Sequence, residues 1–121
     1  MTLTAERRGE IEREIVTKII DKALSLNVMI SVNNGGDEDE ITKSQVKDDI
    51  LKAMFATDAE LMLLHSQGGI ALGEIYFIYG NDGYDVIANY SVNELTETIV
   101  ETAQDLVQKY ELEDFHRILG S

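Results

Sequence analysis

The chain has no cysteine, no proline and no tryptophan among its 121 residues. Without thiols it can build neither a disulfide framework nor a thiolate metal site, and the reducing cytoplasm is the expected location. Long hydrophobic runs are missing too. The opening Met1-Thr2-Leu3-Thr4-Ala5-Glu6-Arg7-Arg8 leads into no uninterrupted apolar stretch, so neither a signal peptide nor a membrane span is expected, and the mature chain is expected to begin here. There is no phosphate-cradling glycine loop ending in Lys-Ser or Lys-Thr, no strand-linked Gly-x-Gly-x-x-Gly and no nucleophile elbow, which removes the common nucleotide and acyl-transfer sites.

Positive charge is scarce: 10 Lys and Arg face 23 Asp and Glu, for a net charge of -13. Residues 1–27 balance, with Glu6, Glu10, Glu12, Glu14 and Asp21 against Arg7, Arg8, Arg13, Lys18 and Lys22. The whole excess lies beyond residue 27, where only Lys43, Lys47, Lys52, Lys109 and Arg117 are basic. Nucleic-acid affinity comes from neutralising phosphates, so direct binding of nucleic acid is excluded. Acidity by itself argues only for solubility.

What is present is periodic. Apolar residues make up 44% of the chain and are grouped, which implies one α+β domain over residues 1–121. Ile11, Ile15, Val16, Ile19, Ile20, Ala23 and Leu24 predict a helix over about residues 5–26, capped by Thr2 or Thr4. Its apolar face covers more than half the circumference, so the helix is either buried on two sides or pairs with a second copy in a homodimer. Val28–Val32, Asn33-Asn34-Gly35-Gly36 and Glu40–Lys43 read as a hairpin. Ser44 precedes a helical pattern in Val46, Ile50, Leu51, Ala53 and Met54 that runs to about Ala56. Leu61–Leu64, Ile70–Tyr79 and Tyr84–Tyr90, separated by Gln67-Gly68-Gly69 and Gly80-Asn81-Asp82-Gly83, predict a three-stranded antiparallel meander. In its last strand Tyr84, Val86, Ala88 and Tyr90 fall on one face, and Asp85, Ile87 and Asn89 on the other. Ser91-Val92-Asn93-Glu94 matches a capping box, with Val92, Leu95, Ile99, Ala103, Leu106 and Tyr110 facing the core of a last helix and a short turn through Phe115, Ile118 and Leu119. The expected order is α-ββ-α-βββ-α, with helices over one face of an antiparallel sheet.

Candidate sites are few. His65 and His116 cannot hold zinc by themselves, and His65 reads as a strand residue with its tip hydrogen-bonded. Asp37-Glu38-Asp39-Glu40 is the densest carboxylate run, yet it lacks the EF-hand order and reads first as a solvated loop. Glu74, Asp82 and Asp85 could assemble a carboxylate pair, but few cations lie nearby to stabilise developing negative charge. No catalytic residue, metal ligand or cofactor is therefore assigned, and the enzyme question stays open with non-catalysis favoured. Tyr84 and Asp82 at the aromatic-flanked turn fit a partner surface, although cross-strand aromatic pairing is the favoured explanation for them. Glu94, Glu97, Glu101 and Asp105, three and four residues apart, form one negative row opposite the core stripe. A merely solvated face is the commoner explanation of such a row, but Glu94, Glu97 and Glu101 have no Lys or Arg four residues on, so the row is mildly costly and invites a basic partner.

The segment Tyr79-Gly80-Asn81-Asp82-Gly83-Tyr84-Asp85-Val86-Ile87 resembles a group of short uncharacterised proteins of bacteria and their phages. In that group a similar Gly-Asn-Asp-Gly-aromatic-Asp-Val-Ile phrase follows a strand, and an Ala-x-x-Ala/Ser-Thr-Asp phrase like Ala53–Asp58 ends a helix. The resemblance covers about residues 20–92. This chain departs from it in a more acidic, aromatic-free first hairpin and a longer final helix. The resemblance implies a mobile-element setting and carries over no catalytic residue.

Together these readings lead to three expectations. The first is a non-catalytic module whose Asp37–Glu40 loop, Asp82, Tyr84 and last-helix carboxylates meet a basic protein surface, in a phage setting as a nucleic-acid mimic inhibiting a host protein. The second is a small-ligand protein or enzyme with a pocket between sheet and helices holding Tyr76, His65, Asp85 or Asn89. The third is a structural homodimer through the first helix.

Overall fold

The computed structural model describes residues 5–36, 38–79 and 86–120. Within them the chain runs α1 (Ala5–Ser25), β1 (Met29–Asn33), β2 (Ile41–Ser44), α2 (Lys47–Ala53), β3 (Ala59–His65), β4 (Ala71–Ile78), β5 (Ile87–Tyr90) and α3 (Glu94–Gly120). The expected α+β order is the observed one. Hairpin and meander join into a single antiparallel sheet of order β2-β1-β3-β4-β5, with β1 docked on β3 so that Ile30 pairs Leu64 and Val32 pairs Met62.

Register determines which side chains go inward. Ile30, Val32, Met62, Leu64, Ile75 and Phe77 share one face and are fully buried. They join Ile11, Ile15 and Ile19 of α1, Ile50 of α2 and Ile99 and Ala103 of α3 in one core cluster. The opposite face, with Leu61, Leu63, His65, Glu74, Tyr76 and Asn89, is half-buried to exposed.

The width of the α1 stripe is explained within the chain, because α1 meets α3, α2 and β1 at once. Ile11, Ile15, Val16, Ile19 and Ile20 are all 0% exposed, each contributing roughly 1.5–3 kcal/mol of burial. Asn27 stops α1. At φ 59° it lets its own N–H reach Leu24 O and the Val28 N–H reach Ala23 O, each at 3.1 Å, which is the Schellman arrangement.

Several local expectations are corrected. α2 ends at Ala53 instead of Ala56, because Phe55 adopts φ 67° and the Phe55 and Ala56 amides turn to the Glu60 carboxylate. The last strand does not alternate as expected: a register shift opposite Tyr76/Phe77 puts both Ile87 and Tyr90 against the core, with Asn89 paired to Tyr76 on the other face. Asn93, not Ser91, caps α3, its Oδ1 accepting the Thr96 N–H at 2.9 Å. The Ser91 hydroxyl instead accepts the Glu74 N–H at 3.0 Å and ties β5 to β4. Val92, expected in the core, is 86% exposed, and Thr96 and Val100 take the buried positions beside Ile99. The tail forms no separate turn, since α3 continues to Gly120.

Candidate functional site

α3 packs against α1 and over β4, with its buried stripe at Thr96, Ile99, Val100, Ala103 and Tyr110. That stripe turns Glu94, Glu97, Glu101 and Asp105 outward, and all four are exposed. No ion pair joins any of them to a cation among the described residues, and Lys109, four residues after Asp105, does not pair with it. Glu94, Glu97 and Glu101 line a groove of about 410 Å³ with Tyr90, Thr98 and Gln104. Tyr90 also borders a smaller hollow of about 100 Å³ around Leu61, Glu74, Tyr76, Asn89 and Ser91. A carboxylate row beside a tyrosine can take ammonium or guanidinium groups, by charge along the helix and by ring face at its end.

The other expected partner residues are elsewhere. Glu38 and Glu40 are exposed in the β1–β2 loop, whereas Asp39 is half-buried and its Oδ1 accepts the Asn33 side-chain amide at 3.0 Å. Asn33 also accepts the Gly35 N–H at 2.7 Å, so Asp39 helps hold the turn. This loop hangs at the β2 edge of the sheet while α3 packs on β4, so loop and helix row do not merge into one surface. Asp37, Asp82 and Tyr84 lie outside the described residues. Among the described residues, no group of three or more His, Asp or Glu is placed to hold a metal ion. None of the helices described is long and apolar enough to cross a membrane.

The pocket expected between sheet and helices is not where its residues lie. Tyr76, His65 and Asn89 belong to the face turned away from the core, and the side chains between sheet and helices are closely buried. Asp85 lies outside the described residues. His65 is a hydrogen-bonded strand residue: its Nε2 is 3.0 Å from Ser31 Oγ, which also accepts the Lys43 N–H at 2.9 Å. Ser31 is 1% exposed, too enclosed for a nucleophile, and the pair ties β1 to β3 and β2.

A buried polar cluster centred on Glu60 is absent from the expectations drawn from the sequence. Glu60 is 1% exposed, and its carboxylate accepts the Phe55 N–H at 2.6 Å, the Ala56 N–H at 3.1 Å and the Tyr79 hydroxyl at 2.8 Å. Burial first, and the Glu60 charge second, push the Tyr79 hydroxyl well above the usual tyrosine range. The Phe55 ring is 4.9 Å from the Tyr79 ring and carries the Arg13 guanidinium 4.8 Å above its centroid. A signal existed: Glu60 keeps the two-residue phase of Met62 and Leu64, so alternation alone puts a carboxylate on the core face.

No protein-family model, no curated protein and no solved structure shows a match to this chain.

Proposed function

We propose that this protein is a non-catalytic binding module that presents the anionic face of α3 to a basic surface on another protein. One observation carries the reading: Glu94, Glu97, Glu101 and Asp105 stand exposed in a row with no cation paired to them among the described residues. A like-charge row weakens an isolated helix, and a cationic partner removes that cost on docking. The groove beside Tyr90 adds aromatic surface where an arginine or lysine can rest. In the mobile-element setting implied by the resemblance, the narrower reading is an inhibitor. Its α3 carboxylates would occupy the phosphate-binding surface of a host nucleic-acid-binding or defence protein.

The test uses the full chain as bait in lysate of its native host. A partner is expected to be held at low salt and released near 1 M salt, where the Debye length falls to about 3 Å. The identified partner is then offered the variant Glu94→Gln, Glu97→Gln, Glu101→Gln, Asp105→Asn, whose exposed positions leave the core untouched. Affinity at least tenfold lower is expected; a partner bound equally well by the variant sinks the reading.

A further inference from the structure

Cations are scarce here, and two of them line one groove. Arg13 of α1 and Lys52 of α2 border a cleft of about 460 Å³ with Asp48, Leu51, Met54 and Phe55. The groove is broad and open, so a ligand would lie along it with one side to solvent. Neither cation has a carboxylate at ion-pair distance among the described residues. Asp48 precedes Lys52 by one helical turn, the spacing that favours pairing, and still the two do not pair. The cleft therefore holds two unpaired cations and one unpaired anion.

Its wall is held under strain. Phe55 is a bulky residue at φ 67°, in the left-handed region where a Cβ crowds the backbone. The buried Glu60 carboxylate maintains it through the Phe55 and Ala56 amides. The result is a fixed ring under the Arg13 guanidinium, 4.8 Å from its centroid. A guanidinium lying over a ring keeps its in-plane N–H groups free, and these fit the two oxygens of a carboxylate. Strain of this kind, sustained by a buried charge, collects at sites that need a set geometry.

We propose that this groove binds an organic monocarboxylate with an aromatic or branched apolar body. Arg13 takes the carboxylate in a forked pair, Lys52 supplies the second charge, and Leu51, Met54 and Phe55 receive the apolar body. Two cations against Asp48 leave one net positive charge, which matches a monoanion better than a phosphate dianion. The surrounding chain, at -13, disfavours the dianion further.

The test is a titration of the full chain with sodium benzoate, and separately with inorganic phosphate, followed by amide NMR shifts at constant ionic strength. Benzoate is expected to give saturable shifts at Leu51, Met54 and Phe55 in the millimolar range. Arg13→Gln and Lys52→Gln, both at exposed positions, should each weaken it about tenfold, the loss of one charge-assisted contact. Lys18→Gln, an exposed α1 cation outside the groove, makes the same charge change and should leave the affinity unaltered. Linear, unsaturating benzoate shifts would overturn the proposal. So would equal weakening by Lys18→Gln, or phosphate saturating the same amides as tightly as benzoate.

Discussion

At the scale of single residues, Glu60 shows how one side chain sets the path of the backbone. A carboxylate on the core face of a strand is costly unless its oxygens find donors, and here three donors converge on it. Exchanging it for glutamine puts an amide N–H against one of the two backbone amides. Glu60→Gln is expected to destabilise the fold by about 2–4 kcal/mol in urea unfolding, the cost of one or two unsatisfied buried groups; a variant within about 0.5 kcal/mol of the parent would show that the carboxylate does not hold the turn. Tyr79 supplies the pH test. Its pKa is raised in the folded state, so the native chain keeps the proton while the unfolded chain releases it above about pH 10. Stability from this group is complete below that value and falls as pH rises beyond it, by up to about 1.4 kcal/mol per pH unit. The advantage of the parent over Tyr79→Phe should thus be constant from pH 7 to 9 and shrink above 10, the other tyrosines cancelling in the comparison. A difference that does not change across this range would contradict the assignment. The sequence displays the alternation that turns Glu60 inward, but not its partners, because Tyr79 lies two strands' length away and Phe55 needs a backbone conformation that its residue type does not announce.

Whole elements were legible where their pattern is long. The α1 stripe identified its helix because seven apolar positions repeat at helical spacing, and the α3 stripe did the same from Leu95 to Tyr110. Boundaries failed where two local chemistries compete for one residue. Ser91 has the makings of a cap, yet its hydroxyl goes to the Glu74 amide across the sheet and Asn93 takes over at the helix. The face of β5 failed for a similar reason, since a bulge resets a two-residue period and no residue type marks it. The α3–β4 contact depends on a missing Cβ. Asn93 donates to Leu72 O at 3.1 Å and pulls the start of α3 onto the strand, where a Cβ on Gly73 would clash with Thr96 Oγ1. Thr96 is fully buried and that hydroxyl has no partner among the described residues, so removing it costs little. Gly73→Ala is expected to destabilise by about 1–3 kcal/mol, and Thr96→Ala in the same chain to recover most of it. Thermal or urea unfolding of the four-member cycle measures the coupling; additive effects would mean that helix and strand are not packed this closely.

For the molecule as a whole, the sign and size of the charge are plain from composition, but its distribution in space is not. The acidic loop and the α3 row contribute alike to any count of carboxylates, yet the strand order puts the loop at the β2 edge and α3 over β4. Among the described residues only the α3 row has the combination of exposure, regular spacing and absent counter-charge, and its energetics can be measured without knowing a partner. Glu94 and Glu97 lie in the first turn, where the helix dipole favours an anion by about 0.3–1 kcal/mol. Glu101 has no such benefit and faces Glu97 one turn before and Asp105 one turn after, each like-charge pair costing about 0.2–0.5 kcal/mol. Glu101→Gln should therefore stabilise the chain by about 0.4–1 kcal/mol at low ionic strength, while Glu94→Gln should leave stability the same or lower it. The gain at Glu101 should fade near 1 M salt, where screening acts within about 3 Å. Urea midpoints for both variants at the two salt levels decide the matter. If Glu101→Gln is no more stable than the parent at low salt, or its gain ignores salt, cations already compensate the row and the α3 face has no unmet charge to offer a partner.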